Sequence, residues 1–160
     1  MSIENVIKDS IKVKEDILAD VDFLKRIENA AELSGRFYYD RKPLNAEALH
    51  VNTSYLTAVA NDYSFDAIYS RMIEASANKG DVLIAISTSG NSANIINAID
   101  AAKSKNMYVI GMTGESGGKM YDKCDVLLNV PSTCTPRIQE SHIMIGHIIC
   151  EIIESTIFPR

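Results

Sequence analysis

The sequence predicts an α/β domain in which helices flank a parallel sheet on both faces. From residue 44 onward, apolar runs of strand length alternate with stretches of helical periodicity, an order typical of parallel sheets. The run Val82–Ile86 reads VLIAI, with no alternation of apolar and polar residues. Such a run is expected in a strand that is covered on both faces, so we predict that it lies centrally in the sheet.

The other elements are predicted in order along the chain. Apolar residues between positions 3 and 28 recur mostly at helical spacing, which predicts one or two amphipathic helices. Strands are then predicted at 46–51, 82–87, 107–113 and 126–130, and helices near 65–77, 92–105 and 136–156. With 160 residues, 46% hydrophobic content and no linker or repeat, residues 1–160 are predicted to form a single domain.

Composition argues against several classes of protein. A formal net charge of -5 opposes the broad cationic surface that binds nucleic acid. The three cysteines have no CxxC spacing, which argues against a disulfide framework or a thiolate metal site. No apolar run approaches the ~18 residues that a membrane span requires. We therefore expect a cytoplasmic protein that binds neither nucleic acid nor membrane.

The stretch after the VLIAI run carries the clearest chemical signal. Three hydroxyl residues and a glycine occupy 87–90, and a helix is predicted to begin near Asn91 or Ser92. A helix start offers unpaired N–H groups and a positive dipole end to an anion, and hydroxyls add donors without charge. The alternative is a polar turn with a helix cap, and composition alone leaves the two readings about equal.

A family resemblance favours the phosphate-binding reading. The string GDVLIAISTSGNSANII at 80–96 resembles the phosphate loop of SIS (sugar isomerase) domain proteins. Further resemblance lies in AELSGRF at 31–37, in residues 53–75, in GMTGESGGKM at 111–120 and in RIQESHIMIGHIICEIIE at 137–154. Within the SIS proteins, this combination is most similar to the bacterial phosphoheptose isomerases.

The resemblance implies a three-layer SIS fold with N-terminal helices used in oligomerisation, as a homotetramer. It implies an aldose–ketose isomerase that converts sedoheptulose 7-phosphate to D-glycero-D-manno-heptose 7-phosphate through an enediol, in heptose biosynthesis for lipopolysaccharide and other cell-surface polysaccharide. The phosphate would be held by Ser87, Thr88, Ser89 and Ser92. The rest of the substrate would be contacted by Asn61, Asp62 and Gln139, with Glu32 and His147 as the catalytic residues.

The chemistry supports two of these roles separately. Isomerisation moves a proton between neighbouring carbons, so it needs a base at carbon and a proton donor or acceptor at oxygen, which a carboxylate and an imidazole can supply. Gln139 and His147 stand at i and i+8 of one predicted helix, on a stripe that drifts slowly around the axis. Alone, His147 would be read as a core histidine and Glu32 as a solvated charge. We interpret His142 and His50 as structural.

Zinc is a further implication of the resemblance. Many phosphoheptose isomerases bind it through two histidines, a glutamate and a glutamine; here Glu32, Gln139 and His147 match, whereas the first histidine has no counterpart. Gln139 and His147 would also be ~12 Å apart along an ideal helix axis. Joint ligation of one ion by both would then require long reach or local bending.

The sequence departs from the family at three places. Between Ala30 and Ala31 a strand, a glycine-rich loop and a helix of the family, ~30 residues in all, have no counterpart. Losing a central strand would leave unpaired backbone groups, so we interpret the gap as residues that belong to the molecule but are missing from this sequence. Asn52 and Cys134 replace the aspartates common in the family, and these changes are expected either to tune the substrate preference or to mark a paralogue.

Two other functions compete with the isomerase. A related SIS protein forms tetramers and binds the replication initiator protein without catalysis, and its chain end is similar to Ile157-Phe158-Pro159. That class lacks the glutamate and the C-terminal histidine, which favours the isomerase. Regulatory SIS domains usually accompany a DNA-binding segment, and none is visible in this sequence.

Overall fold

A computed structural model describes Lys8, Ile11 and Lys12, which are helical, and residues 38–160. The predicted N-terminal helices and Glu32 therefore lie outside the described residues, apart from those three positions. The elements are α1 (Thr53–Asp62), α2 (Ile68–Ser76), β1 (Val82–Ile86), α3 (Ala93–Ser104), β2 (Tyr108–Thr113), β3 (Val126–Asn129) and α4 (Thr135–Ile157), with short 3-10 helices at Phe65–Ala67 and Gly118–Met120. Three strands and three helices agree with prediction to within about three residues, whereas α1 was not predicted.

The described strands form one parallel sheet in the order β1-β2-β3. Ile84 pairs with Ile110 between β1 and β2, and Gly111 pairs with Leu127 between β2 and β3. The prediction that VLIAI lies centrally is wrong for this sheet, because β2 is its middle strand.

The predicted strand at 46–51 is also wrong. These residues form a turn closed by the bond from the Val51 N–H to the Ala48 carbonyl, at 3.1 Å, and no described strand lies beside them to complete a ladder.

Apolar clusters cover both faces of the sheet. Neighbouring residues of one strand point to opposite faces, so Ile110 packs with α4 while Val109 packs with α2 and α3. The α4 side is filled mainly by Met112, Leu128, Ile138, Ile145, Ile149 and Ile153. The other side is filled mainly by Ile73, Leu83, Ala98, Ile99, Ala102 and Leu127. The predicted three-layer arrangement is confirmed. The single-domain assignment stays a prediction.

The two single-residue departures from the family both lie at helix starts. Asn52 is the N-cap of α1, and its side chain accepts a hydrogen bond from the Tyr55 N–H at 3.1 Å. Cys134 is the N-cap of α4, where its side chain makes no capping bond. Aspartate and asparagine are favoured N-caps, whereas cysteine is not. The structure therefore gives Asn52 a local role in beginning α1, whereas the Cys134 side chain has no such role at the start of α4.

Replacing Cys134 with aspartate is expected to raise the free energy of unfolding by about 1 kcal/mol, because a carboxylate there would accept from the first turn of α4 and favour its dipole. Urea unfolding at neutral pH measures the change. Cys134→Ala, which also cannot cap, serves as the control. Equal stability of the aspartate and alanine variants would contradict the capping role.

Candidate phosphate-binding and acid–base site

The structure forms the predicted strand–loop–helix unit. β1 ends at Ile86, and the chain passes through buried Ser87, half-buried Thr88 and exposed Ser89 before α3 begins at Ala93. The Gly90 N–H donates to the Ser87 carbonyl at 3.0 Å and closes the turn. The three hydroxyl residues predicted from sequence therefore lie directly between the end of the strand and the start of the helix.

Hydrogen bonds inside this loop leave the start of α3 uncapped. The Ser87 and Ser92 hydroxyls are 2.9 Å apart and bond to one another, so the N-cap residue Ser92 makes no side-chain bond to its helix. Within the described residues, the N–H groups of Ala93 and Asn94 have no hydrogen-bond acceptor. These donors point outward from the helix start, where an anion would meet them.

A second loop, residues 114–120, supports the first. The Gly114 N–H donates to the Thr88 carbonyl at 3.0 Å, and the Met120 N–H donates to the Gly90 carbonyl at 3.2 Å. The Lys119 N–H donates to Asn91 Oδ1 at 3.1 Å. These bonds occupy oxygen acceptors of the serine loop. The second loop therefore fixes the position of the serine loop and the direction in which its remaining hydrogen-bond donors point.

Glycines allow the two loops to approach this closely. Gly90 has a φ of 66°, and a Cβ built on it would lie 2.0 Å from the Gly117 carbonyl oxygen. Gly118 has a φ of 53°, and a Cβ there would lie 2.4 Å from the Ser89 carbonyl oxygen. Sequence reasoning noted the freedom of Gly90 but missed its partner loop. The only signal was the Gly-Gly pair in GMTGESGGKM.

Asn61 and Asp62 lie exposed at the end of α1. The Asn61 amide donates to the Asp62 carboxylate at 3.1 Å. The 3-10 helix that follows is attached to α3 by a bond from Asn97 Nδ2 to the Asp66 carbonyl at 3.1 Å. In the described part of the chain, no direct hydrogen bond joins Asn61 or Asp62 to the serine loop.

Gln139 and His147 are both exposed on α4. Between them Ile143 is 63% exposed, so this stripe of the helix is turned away from the core. The two polar residues are ~12 Å apart along the axis. Glu32, the other predicted acid–base residue, lies outside the described residues.

His142 is a buried histidine, as interpreted from the sequence. It is 6% exposed, and its Nε2 lies 3.1 Å from the Thr113 carbonyl oxygen. A carbonyl can only accept, so Nε2 carries a proton. Burial holds the pKa of His142 below its usual range, although the bond to Thr113 acts in the opposite direction. The hydrogen bond from this neutral imidazole stabilises the end of β2, which leads into Gly114.

His50, the other histidine interpreted as structural, is exposed in the turn at 49–50.

The described residues do not form a zinc site by themselves. Among them, no group of three His, Cys, Asp or Glu side chains could hold a metal ion. Gln139 and His147 are ~12 Å apart along the helix axis, so joint ligation of one ion by both, with bonds of ~2 Å, requires long reach or local bending. Arg137, at the start of the same helix, is buried and pairs with Glu140 at 2.6 Å.

Comparison with known proteins finds sugar isomerases that are similar to this chain. A family model described as "SIS domain" matches residues 24–114. The phosphoheptose isomerase of Rhodospirillum rubrum is 55% identical over 128 residues, which cover 80% of this chain and 68% of that protein. Phosphoheptose isomerase 2 of Campylobacter jejuni is 43% identical over 95% of this chain and 90% of its own length.

Solved structures give the same result. The phosphoheptose isomerase GmhA of Neisseria gonorrhoeae matches with a TM-score of 0.84 and 36% identity, over 96% of this chain and 97% of that one. A phosphoheptose isomerase from Francisella tularensis matches with a TM-score of 0.86 and 32% identity, over 96% of each chain. At this level of likeness, the fold and the order of its elements are shared.

The length of one alignment shows an internal difference. The match to the Campylobacter jejuni protein spans 182 positions, but 95% of 160 residues contributes only 152, so about 30 alignment positions have no residue of this chain. The predicted place of this difference, between Ala30 and Ala31, lies outside the described residues. Among the helices that the structure describes, none is long and apolar enough to cross a membrane.

Proposed function

This chain belongs to the SIS-domain family and, within it, to the phosphoheptose isomerases, and we propose that it converts sedoheptulose 7-phosphate to D-glycero-D-manno-heptose 7-phosphate in heptose biosynthesis. The observation that carries the proposal is the serine loop at 87–92, which leads into a helix start with unpaired donors. Incubating the protein with sedoheptulose 7-phosphate and following formation of the aldose tests it. Absence of turnover in a sample that binds the sugar phosphate would contradict the catalytic assignment.

The phosphate group is assigned to the loop. Its oxygens would accept from the Ala93 and Asn94 N–H groups, from the hydroxyls of Thr88 and Ser89, and from one hydroxyl of the Ser87–Ser92 pair, since the other donates within the pair. The positive end of α3, a helix of 12 residues, favours the negative charge. This arrangement binds an anion without a cluster of basic side chains, which suits a protein of net negative charge.

The sugar and its reacting carbons are assigned to the other polar groups. Asn61, Asp62 and Gln139 would bind hydroxyl groups of the sugar, since their exposed amides and carboxylate can donate and accept. Glu32 would move the proton between C1 and C2, and His147 would exchange a proton at the neighbouring oxygens. The product keeps every atom of the substrate, because the proton taken from one carbon is replaced at the other.

The length of chain between Glu32 and the next described residue, Tyr38, is sufficient for the Glu32 side chain to contact His147. The Tyr38 N–H donates to Glu154 Oε2 at 2.6 Å, and Arg41 binds the same buried carboxylate at 3.1 Å. His147 lies seven residues before Glu154 on α4, about 10 Å along the axis. Glu32 precedes Tyr38 by six residues, which span at most about 20 Å when extended. The anchor at Glu154 therefore leaves His147 within reach of Glu32.

We also propose that Glu32, Gln139 and His147 bind zinc. When bound, zinc would polarise the sugar oxygens. Metal analysis of the purified protein, together with Glu32→Gln and His147→Asn, tests the donor set. Unchanged zinc content in both variants would rule out these two residues as ligands.

We further propose a cytoplasmic homotetramer. The exposed Ile143 lies between Gln139 and His147, so covering this stripe by another subunit would remove apolar surface from water and enclose both polar residues. The three cysteines are unpaired, which fits a reducing compartment. Sedimentation is expected to show a tetramer, and a stable monomer at micromolar concentration would contradict this assembly.

Ser89→Ala is expected to weaken binding of sedoheptulose 7-phosphate about 10-fold, because it removes one donor to a charged acceptor. The fold should remain intact, since Ser89 is exposed. Titration calorimetry measures the affinity. Ser155→Ala removes an exposed hydroxyl that bonds within α4, to the Ile152 carbonyl, and should bind like the parent. Equal affinity in both variants would contradict the loop assignment.

A further inference from the structure

His142 joins helix α4 to the end of strand β2. Its buried imidazole donates from Nε2 to the Thr113 carbonyl oxygen, and the two atoms are 3.1 Å apart. The same carbonyl also accepts from the Val130 N–H at 2.9 Å, which continues the pairing of β2 with the chain after β3. The carbonyl would therefore keep one hydrogen bond without His142, so the bond from the imidazole is not needed to pair the strand.

The glycine that follows β2, Gly114, lies against both the serine loop and α4. Its N–H donates to the Thr88 carbonyl at 3.0 Å. A Cβ built on Gly114 would lie 2.9 Å from that carbonyl oxygen and 2.6 Å from Cδ1 of Ile138, on α4. The chain at the end of β2 therefore lies between the loop assigned to the phosphate and the helix that carries Gln139 and His147.

Two kinds of contact hold α4 against the sheet. Ile138 and Ile145 pack into the apolar cluster on this face, and such contacts depend on buried area rather than on direction. The hydrogen bond of His142 depends on both length and angle, and it weakens steeply when its geometry is poor. It therefore adds a directional restraint on the position of α4 along its own axis.

The position of α4 along its axis sets the distance between two parts of the proposed site. Gln139 lies three residues before His142, and His147 lies five residues after it, about 4.5 and 7.5 Å along the axis. A shift of the whole helix would carry both residues relative to the serine loop. The substrate has to span this distance, because its phosphate is on C7 and its reacting carbons are C1 and C2.

We propose that His142 is a positioning residue, which fixes α4 to the end of β2 and thereby sets the distance from the serine loop to Gln139 and His147. This inference rests on the proposed function, because it concerns a ligand that contacts both the loop and the helix. Inorganic phosphate would contact the loop alone, so its affinity is expected to be independent of His142. A seven-carbon sugar phosphate gains both affinity and rate from the correct distance.

Two substitutions test the hydrogen bond. His142→Leu removes the donor and keeps an apolar side chain in the buried position. His142→Gln keeps a donor, since glutamine Nε2 is as many bonds from Cα as histidine Nε2. The leucine variant is expected to lower kcat for sedoheptulose 7-phosphate by about 10- to 100-fold, the cost of misplacing reacting groups by up to about 1 Å. The glutamine variant should restore most of the parent rate.

Binding without turnover is measured in parallel by calorimetry. The ligands are inorganic phosphate and heptitol 7-phosphate, the reduced sugar, which has no carbonyl group to isomerise. In His142→Leu the affinity for the heptitol phosphate is expected to fall about 10-fold, while the affinity for inorganic phosphate is unchanged. Ser141→Ala is the matched control. It removes a buried hydroxyl whose bond stays within α4, to the Arg137 carbonyl at 2.8 Å, and it should behave like the parent.

The role of His142 would be overturned by parent-like kcat and heptitol affinity in His142→Leu, or by equal losses of affinity for the two ligands. Equal losses of kcat in His142→Leu and Ser141→Ala would also overturn it, since they would reflect general destabilisation of α4. His142→Asn has an amide one bond too short to reach Thr113, so it replaces the leucine variant if that variant fails to fold. Absence of turnover in the parent would overturn the proposed function alone, because the affinity comparison does not use the reaction.

Discussion

Glu32→Gln and His147→Asn are each expected to lower isomerase turnover by about 100- to 10,000-fold, the usual cost of losing a positioned acid or base. Both substitutions keep the approximate size of the side chain. Glutamine cannot accept the carbon-bound proton as a carboxylate does, and asparagine cannot exchange a proton near neutral pH as an imidazole does. Turnover of sedoheptulose 7-phosphate measures the loss, and exchange of solvent deuterium into C1 or C2 reports proton transfer at carbon.

Matched substitutions separate chemistry from structure. Glu151→Gln removes an exposed carboxylate on α4, and His50→Asn removes an exposed imidazole in the turn at 49–50. Both should keep the parent rate. The active-site variants should still bind sugar phosphate and assemble normally, and their zinc content is measured on the same samples. If Glu32→Gln exchanged deuterium and isomerised at the parent rate with normal metal content, Glu32 would not be the base.

Gly90→Ala is expected to destabilise the protein by about 3 kcal/mol or more and to abolish detectable phosphate binding. Its Cβ would overlap the Gly117 carbonyl oxygen at 2.0 Å, which is backbone and cannot rotate away as a side chain would. The φ of 66° adds a cost of about 1 kcal/mol for a residue with a Cβ. The serine loop and the 114–120 loop would then have to separate. Urea unfolding measures the stability.

Gly80→Ala is the control for backbone conformation. Gly80 also has a positive φ, 90°, but a Cβ there would meet nothing within 4 Å. Its substitution should cost only about 1 kcal/mol and leave phosphate affinity unchanged. Similar losses of stability in the two variants would show that close approach to the second loop is unimportant.

Local sequence was sufficient to predict the strand–loop–helix unit that contains the serine loop, whereas the phosphate-binding role of that loop stays a prediction. The apolar run 82–86, the hydroxyl residues after it and the following helical periodicity all act over a few residues, and the structure places each within about one residue of its predicted position. The three-layer arrangement could also be predicted, because runs without alternation need cover on both faces. Helix α1 was missed, although Asn52 directly before it is a favoured N-cap.

Features that depend on distant partners could not be predicted in the same way. The 46–51 segment has apolar residues suited to a strand, but a strand forms only where a neighbour completes its hydrogen bonds, and the described chain places none there. The contact of Gly90 with Gly117 joins loops 27 residues apart. The predicted grouping of Glu32, Gln139 and His147 depends on tertiary structure and stays a prediction, so the acid–base assignment still rests on family membership and on the chain's reach.

The hydrogen bond between the Ser87 and Ser92 hydroxyls leaves α3 without a side-chain cap. It therefore lowers the stability of the ligand-free protein but leaves N–H donors available to an anion. A serine N-cap that bonded its own helix would stabilise α3 by about 1 kcal/mol, but this hydroxyl is directed elsewhere and leaves the Ala93 and Asn94 N–H groups without described partners. An anion that accepts from them becomes the missing cap. The ligand is then part of the folded structure's own stabilisation, and at 100 times its Kd it would add about 2.7 kcal/mol to the free energy of unfolding. In a cell, the concentration of the sugar phosphate would thus influence the amount of folded protein as well as the rate of its reaction.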